Sequence, residues 1–165
     1  MGLDIAYFTN AKPIEKPDAV EDVAAWSREN HAVQYYTLEG QEDRLEGLPA
    51  GWVTASFRDV FRAGSYSGYG RWRELLSVTL LDVGAREVWT NPGLFEGRPF
   101  VELIDFADNE GCIGPVVSAK LAKDFHEHRG AFAIGINVGE FDLALYDSWT
   151  EAFQTVAGNG FVLFH

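Results

Sequence analysis

Phe100-Val101-Glu102-Leu103-Ile104-Asp105-Phe106-Ala107-Asp108-Asn109-Glu110-Gly111-Cys112-Ile113-Gly114 joins an apolar run to a loop dense in carboxylates, and Pro115 follows it. The run at 100–104 has the β-branched and aromatic composition of an interior strand, so it is expected to deliver Asp105 to a strand's end. Pro115 suits the first position of a helix, where its missing N–H costs nothing. Val117, Leu121, Ala122 and Phe125 then form an apolar stripe, and the helix is expected to run to His128 with Gly130 as its stop. A strand, a loop and a helix in this order point to a chain that mixes both kinds of element.

Leu3, Ile5 and Tyr7 alternate with Asp4, Ala6 and Phe8, the period of a half-buried strand. Residues 33–38 are β-branched and aromatic and predict a second strand, while 52–61 alternate as a third. Between these two, 41–51 read as an exposed loop. Asp18 and Glu21 have the spacing of a capping box before a short helix. Trp72, Leu75, Leu76 and Thr79 share one helical face, so a helix is expected from Arg71 to just before Gly84, preceded by a loop at 64–70. Asn91-Pro92-Gly93 and Gly97-Arg98-Pro99 mark turns. Residues 133–138, interrupted by Gly135, predict a weak strand. Ser148 and Glu151 make a second capping box ahead of the stripe Trp149, Ala152, Phe153 and Val156. Gly158-Asn159-Gly160 should end that helix, and 161–164 read as a final strand. The expected architecture is one α+β domain over residues 1–165, a mixed or antiparallel sheet packed against about three helices.

At 165 residues and 47% hydrophobic, the chain can bury one sizeable core without metal or disulfide staples. Thirteen Lys and Arg against twenty-five Asp and Glu give a formal charge of −12, which repels nucleic-acid backbones and anionic membranes. Acidity of this size serves solubility, and it also suits the basic face of a partner protein. Nine acids and three bases lie between Glu15 and Glu46, so much of that charge is concentrated in the N-terminal part. The single cysteine, Cys112, rules out an intramolecular disulfide and fits a reducing cytoplasm. The opening residues lack the basic segment and apolar run of a signal peptide, and no stretch reaches transmembrane length.

Two stretches carry chemistry. Asp105, Asp108 and Glu110 could offer hard oxygen ligands to Mg2+ or Ca2+, although the spacing lacks the rhythm and terminal Glu of an EF-hand. The competing reading makes them turn-forming residues at a bend that Gly111 and Gly114 permit. Gly64-Ser65-Tyr66-Ser67-Gly68-Tyr69-Gly70 offers hydroxyls and backbone amides. From Arg58 to Arg73 there are four arginines, Arg58, Arg62, Arg71 and Arg73, against Asp59 alone, a local reversal of sign in an acidic chain. Arginine forks grip phosphate or carboxylate, and Tyr or Trp rings stack on a base; equally, these arginines could pair with the acidic N-terminal part while the rings fill a core. His126 and His128, two residues apart on a helix, diverge and make a poor metal pair, and His31 and His165 are isolated. No His-Glu-x-x-His, Gly-x-Ser-x-Gly, Walker or Rossmann pattern occurs, and Ser65 and Ser67 have no identifiable base.

The segments Gly64-Ser65-Tyr66-Ser67-Gly68-Tyr69 with Trp72-Arg73, and Leu103-Ile104-Asp105-Phe106-Ala107-Asp108-Asn109-Glu110-Gly111 continuing through Ile113-Gly114-Pro115-Val116-Val117-Ser118-Ala119-Lys120-Leu121-Ala122-Lys123-Asp124-Phe125, resemble small proteins encoded by bacteriophages and prophages. The family pattern has Cys where Asn109 stands and a small residue where Cys112 stands. The resemblance implies a phage setting in a bacterial cytoplasm and no settled chemistry. The resulting expectation is a non-catalytic protein that binds a small anionic, nucleotide-like ligand in counter-defence. Arg62, Ser65, Ser67, Arg71 and Arg73 would hold phosphate, Tyr66 and Tyr69 would contact the rest, and no cofactor is expected. Two alternatives are a divalent-metal-assisted phosphoester hydrolase using Asp105, Asp108 and Glu110, and an acidic inhibitor that binds a host protein through residues 15–46. Oligomeric state is not legible in the sequence.

Overall fold

The computed structural model describes every residue except Met1, Tyr36, Thr37, Ala50 and Asp108. Its spine is strand β1 (Leu3–Pro13), which pairs antiparallel on one side with the long strand β3 (Trp52–Gly64) and on the other with β5 (Phe161–Phe164). Two short strands complete the sheet: β2 (Ala32–Gln34) lies beside β3, and β4 (Gly111–Ile113) lies beside β5. The order is β2-β3-β1-β5-β4, and every neighbouring pair is antiparallel. An α+β fold with an antiparallel sheet is therefore what these residues build.

Period-two alternation sorts the side chains between the two faces. Leu3, Ile5, Tyr7, Val162 and Phe164 enter the main core, whereas Phe8, Ala11, Phe161 and Leu163 belong to a smaller cluster with Tyr35, Val53 and Cys112. Three long helices cover the main-core face: α2 (Tyr66–Leu81), α5 (Pro115–Ala133) and α6 (Glu140–Val156). Trp72 of α2 and Trp149 of α6 stack with centroids 6.1 Å apart, and Trp149 meets Phe61 of β3 edge-on at 5.1 Å. Helix and sheet are thus joined through rings, which bury large apolar areas in defined geometries. Gly160 must be glycine for this closure, because a Cβ there would stand 2.1 Å from the carbonyl oxygen of Phe8.

Several local expectations change. The stretch at 64–70 is not a loop: Ser65 caps α2 by accepting from the Gly68 N–H at 3.1 Å, and the helix begins at Tyr66. Gly68 and Gly70 are poor helix formers, but the burial of Tyr69 and Trp72 on the same helix outweighs that local cost. Residues 100–104 are not a strand either. Phe100 adopts φ 63°, and Val101–Ile104 form a short helix, α4. Short apolar runs satisfy both periods, and the edge beside β5 is taken by β4, inside what the sequence presented as a loop.

Helix α5 starts at Pro115 as expected but runs through Gly130 to Ala133, so 133–138 contribute no strand. Ser148 lies within α6, its hydroxyl donating to the Ala144 carbonyl. The helix start is at Gly139, whose N–H donates to Asp142 at 3.0 Å. Likewise Asp22, not Asp18, caps the first short helix, α1 (Val23–Glu29). The expected strand at 33–38 is shorter, and its Tyr36 and Thr37 lie outside the described residues. A further short helix, α3 (Ala85–Thr90), had no clear periodic signal. Among the described residues no helix is long and apolar enough to cross a membrane.

Candidate ligand-binding site

The two stretches singled out from the sequence meet at one point, Arg73 and Asp105. Both line a cleft of about 430 Å3 with Leu38, Glu39, Gln41, Trp89, Phe106 and Ala107. Arg73, in the middle of α2, is 4% exposed, and its guanidinium lies 4.6 Å from the Tyr69 ring centroid and 5.0 Å from that of Trp89. Its Nη1 donates to the carbonyls of Ile104 and Phe106 at 3.3 and 2.5 Å. Trp89, on α3, donates through Nε1 to the Ile104 carbonyl, also at 2.5 Å. Helices α2 and α3 therefore grip the backbone after α4 from one side, while an indole that remains 43% exposed forms a wall of the cleft.

The opposite wall comes from the segment after β2. Gln41 donates through Nε2 to the Asp105 carbonyl, and Arg44, on a 3-10 turn at Glu42–Leu45, approaches the Asp105 carboxylate at 3.4 Å while its Nε donates to the Glu102 carbonyl. Arg44 also pairs with Asp43. Gly111 shapes the adjoining surface: at φ 118°, it lies where a Cβ would be within 3 Å of both Phe106 and Leu38. Only glycine combines that backbone with that approach.

Asp105 has the most informative electrostatics of the cleft. Burial raises its pKa above the ordinary carboxylate value; Arg44 and Arg73 pull it back down and Asp43 adds to the rise. A carboxyl whose desolvation outweighs two nearby arginines, at the edge of a cleft, is the kind of group found at binding sites. It also borders a second depression of about 330 Å3 that contains Arg44, Glu96 and Glu102.

The other sequence candidates are dispersed. Arg62, on β3, directs Nη1 to both carboxylate oxygens of Asp4 at 2.9 Å. Arg71 donates to Asp142 at 2.5 Å, tying α2 to the first turn of α6. Tyr69 is fully buried and stacked on Trp72, and Tyr66 packs partly buried against the main core. Ser65 and Ser67 are at the α2 start, their hydroxyls 3.2 Å apart. Of these seven residues, Arg73 alone lines the cleft.

Of the three carboxylates considered for a metal, Asp105 lines the cleft, Glu110 is exposed beyond it, and Asp108 lies outside the described residues. Among the described residues no three His, Cys, Asp or Glu side chains gather as a cation site. Cys112 is buried in the smaller cluster, where desolvation pushes its thiol pKa far up, the opposite of a reactive cysteine. Gln41, Arg44 and Trp89 were missed by sequence reasoning. The one usable signal was Arg44, the only base among the acids of residues 39–46.

No protein-family model matches the chain, and no curated protein or solved structure shows significant similarity to it.

Proposed function

We propose that the protein is a non-catalytic binding protein for a small nucleotide-like ligand whose flat heterocycle lies in the cleft between Trp89 and Asp105. The observation that carries this reading is a half-buried carboxylate of raised pKa facing the same cleft as an exposed indole. A carboxylate accepts from ring amino and imino N–H groups, as acidic side chains do from cytosine. An indole face stacks on an aromatic base, and Leu38, Phe106 and Ala107 give the apolar lining that small-ligand clefts share. Recognition is moved from the arginines to Trp89 and Asp105 because Arg62 and Arg71 direct their guanidinium groups at Asp4 and Asp142. The resemblance to phage proteins supports a setting in which the ligand is a nucleotide signal of host defence.

Calorimetry with a panel of nucleosides and of linear and cyclic nucleotides tests it. Binding is expected to disappear in Trp89→Ala and to weaken by about ten- to a hundredfold in Asp105→Asn, the loss of one hydrogen bond to a charged acceptor. No binding across the panel, or binding indifferent to both substitutions, overturns the reading.

One observation favours a second reading. All nine carboxylates between Glu15 and Glu46 are exposed, so this segment would present an acidic face to a basic partner protein. A host protein retained by the wild-type chain and released when Glu15, Asp18, Glu21 and Asp22 become Lys supports it; retention unaffected by those changes removes it.

A further inference from the structure

Among the described residues, the only basic side chains lining one concavity at the end of the sheet are two that the sequence leaves unremarkable, Lys12 and His31. The concavity measures about 650 Å3 and lies where β1 ends, β3 begins and α1 turns into β2. Asn10, Asn30, Thr54 and Ser56 supply the rest of its polar lining, and among the described residues no carboxylate lines it. In a chain of formal charge −12, a surface that gathers two basic side chains, two amides and two hydroxyls without an acid is a local reversal of potential.

The backbone is held in an uncommon shape to make it. Asn10 and His31 have φ of 58° and 49°, in the left-handed region that L-residues other than Asn, Asp and His seldom enter. Both face the same concavity. Asn10 is fixed by Asn159, whose Oδ1 accepts from the Asn10 N–H at 3.1 Å and whose carbonyl accepts from the Ala11 N–H at 2.9 Å. The register between β1 and β3 shifts between Thr9 and Lys12 at this point. Such bulges re-aim the side chains next to them, here Lys12. His31 is held by its own backbone, its carbonyl accepting from the Ala55 N–H at 3.2 Å and its N–H donating to Arg28 at 3.4 Å. Non-glycine residues in this conformation cost free energy that the fold must offset, and they cluster where a side chain is needed in one place.

We infer that this concavity is an anion site for a phosphate group, held by the basic side chains of Lys12 and His31, by the Ser56 hydroxyl and by the side-chain N–H groups of Asn10 and Asn30, the latter donating one N–H to the Trp26 carbonyl at 2.9 Å while the Thr54 hydroxyl donates to the Lys12 carbonyl at 3.5 Å. A phosphate presents several strong acceptors and no apolar surface, which matches a lining of six donor-bearing side chains. The site is independent of the Trp89–Asp105 cleft, and the arginines between Arg58 and Arg73 take no part in it.

The full chain, labelled for amide NMR, is titrated with inorganic phosphate, with a sugar phosphate and with the same sugar lacking phosphate. The site predicts shift changes centred on the amides of Asn10, Lys12, His31 and Ser56 at millimolar phosphate. It also predicts at least a tenfold loss of affinity in Lys12→Gln with His31→Asn, and no change in Trp89→Ala. Asn accepts the left-handed backbone at position 31, so the double variant keeps its fold, checked by an unchanged melting temperature. Tighter binding of the sugar phosphate than of phosphate identifies a phosphorylated metabolite, and equal binding identifies phosphate itself; either supports the site. Absence of shifts at these amides, equal affinity in the double variant, or equal binding of the unphosphorylated sugar overturns it.

Discussion

Arg73 donates to the carbonyl of Phe106 at 2.5 Å, so a buried charge in the middle of α2 fixes the backbone path next to Asp105. The same guanidinium lies against Tyr69 and Trp89 and bonds the Ile104 carbonyl. Removing it leaves the Phe106 carbonyl short of this donor, while the Ile104 carbonyl keeps only Trp89 Nε1. Arg73→Ala is expected to lower unfolding free energy by about 3 kcal/mol in urea denaturation, from lost charge-assisted hydrogen bonds and ring contacts. Arg73→Lys should recover part of this, since an ammonium keeps the charge but cannot reproduce the planar fork.

Asp105 gives a pH signature. Its pKa is raised in the folded state, first by burial, so the folded chain takes up this proton more readily than the unfolded one. Its contribution to stability is fully present below the unfolded pKa and is lost as pH rises through the folded value. Asp105→Asn is neutral at every pH. The melting temperature of Asp105→Asn relative to wild type is therefore expected to rise between acidic and neutral pH. Binding of a donor-bearing heterocycle should show the reverse trend in wild type, weakening as acid protonates the acceptor, at a pH above that of an ordinary carboxylate.

Trp149 is the centre of the aromatic core. It is fully buried and meets Phe61, Tyr69, Trp72, Phe153 and Phe164 at centroid distances of 5.1 to 6.1 Å. Its Nε1 has no hydrogen-bond partner among the described residues. Trp149→Ala is expected to cost about 4 kcal/mol by cavity formation. Trp149→Phe should cost much less than that, because no hydrogen bond is lost with the indole. Equilibrium denaturation of both variants checks the contrast.

Asp142 holds three things at once. Its carboxylate accepts from Arg71 at 2.5 Å and from the Gly139 N–H at 3.0 Å, and its carbonyl accepts from Trp72 Nε1 at 3.4 Å. Asp142→Ala is expected to destabilise by about 2 kcal/mol through loss of the helix-start bond and the ion pair. Arg71→Ala should cost less, since Arg71 is largely exposed while the Gly139 bond survives. In calorimetry, Arg71→Ala should leave ligand affinity unchanged.

Cys112 provides a probe of opening. Its thiol is buried and its pKa is pushed far up by desolvation. Alkylation at mildly alkaline pH should be slow in the folded chain and fast in urea, and mass spectrometry measures both rates.

Strands β1 and β3 were legible because side chains alternate with a period of two at 3–8 and 52–61, and β5 because a short apolar run, 161–164, follows Gly158-Asn159-Gly160. The start of α5 was legible because Pro115 and its stripe are local signals. Residues 100–104 were not, since a run of four apolar residues around Glu102 serves a strand or a helical turn equally and neighbouring β4 decides between them. The α2 start was misplaced because glycines and serines have turn propensity, while the burial that overrides it depends on Trp149, distant in sequence.

For the site, the sequence alone included Arg73 and Asp105 among ten candidates chosen by charge pattern and position beside glycines, and it established the acidic excess that makes any basic surface informative. Which arginines were already engaged was decided by tertiary structure, because Asp4 and Asp142 reach Arg62 and Arg71 only when β1 lies beside β3 and α6 beside α2. The same holds for Trp89 beside Asp105 and for Lys12 near His31. Local sequence sets periodicity, caps and turns through short-range sterics and hydrogen bonding, whereas pairing of charges and closure of clefts depend on contacts between residues far apart in the chain.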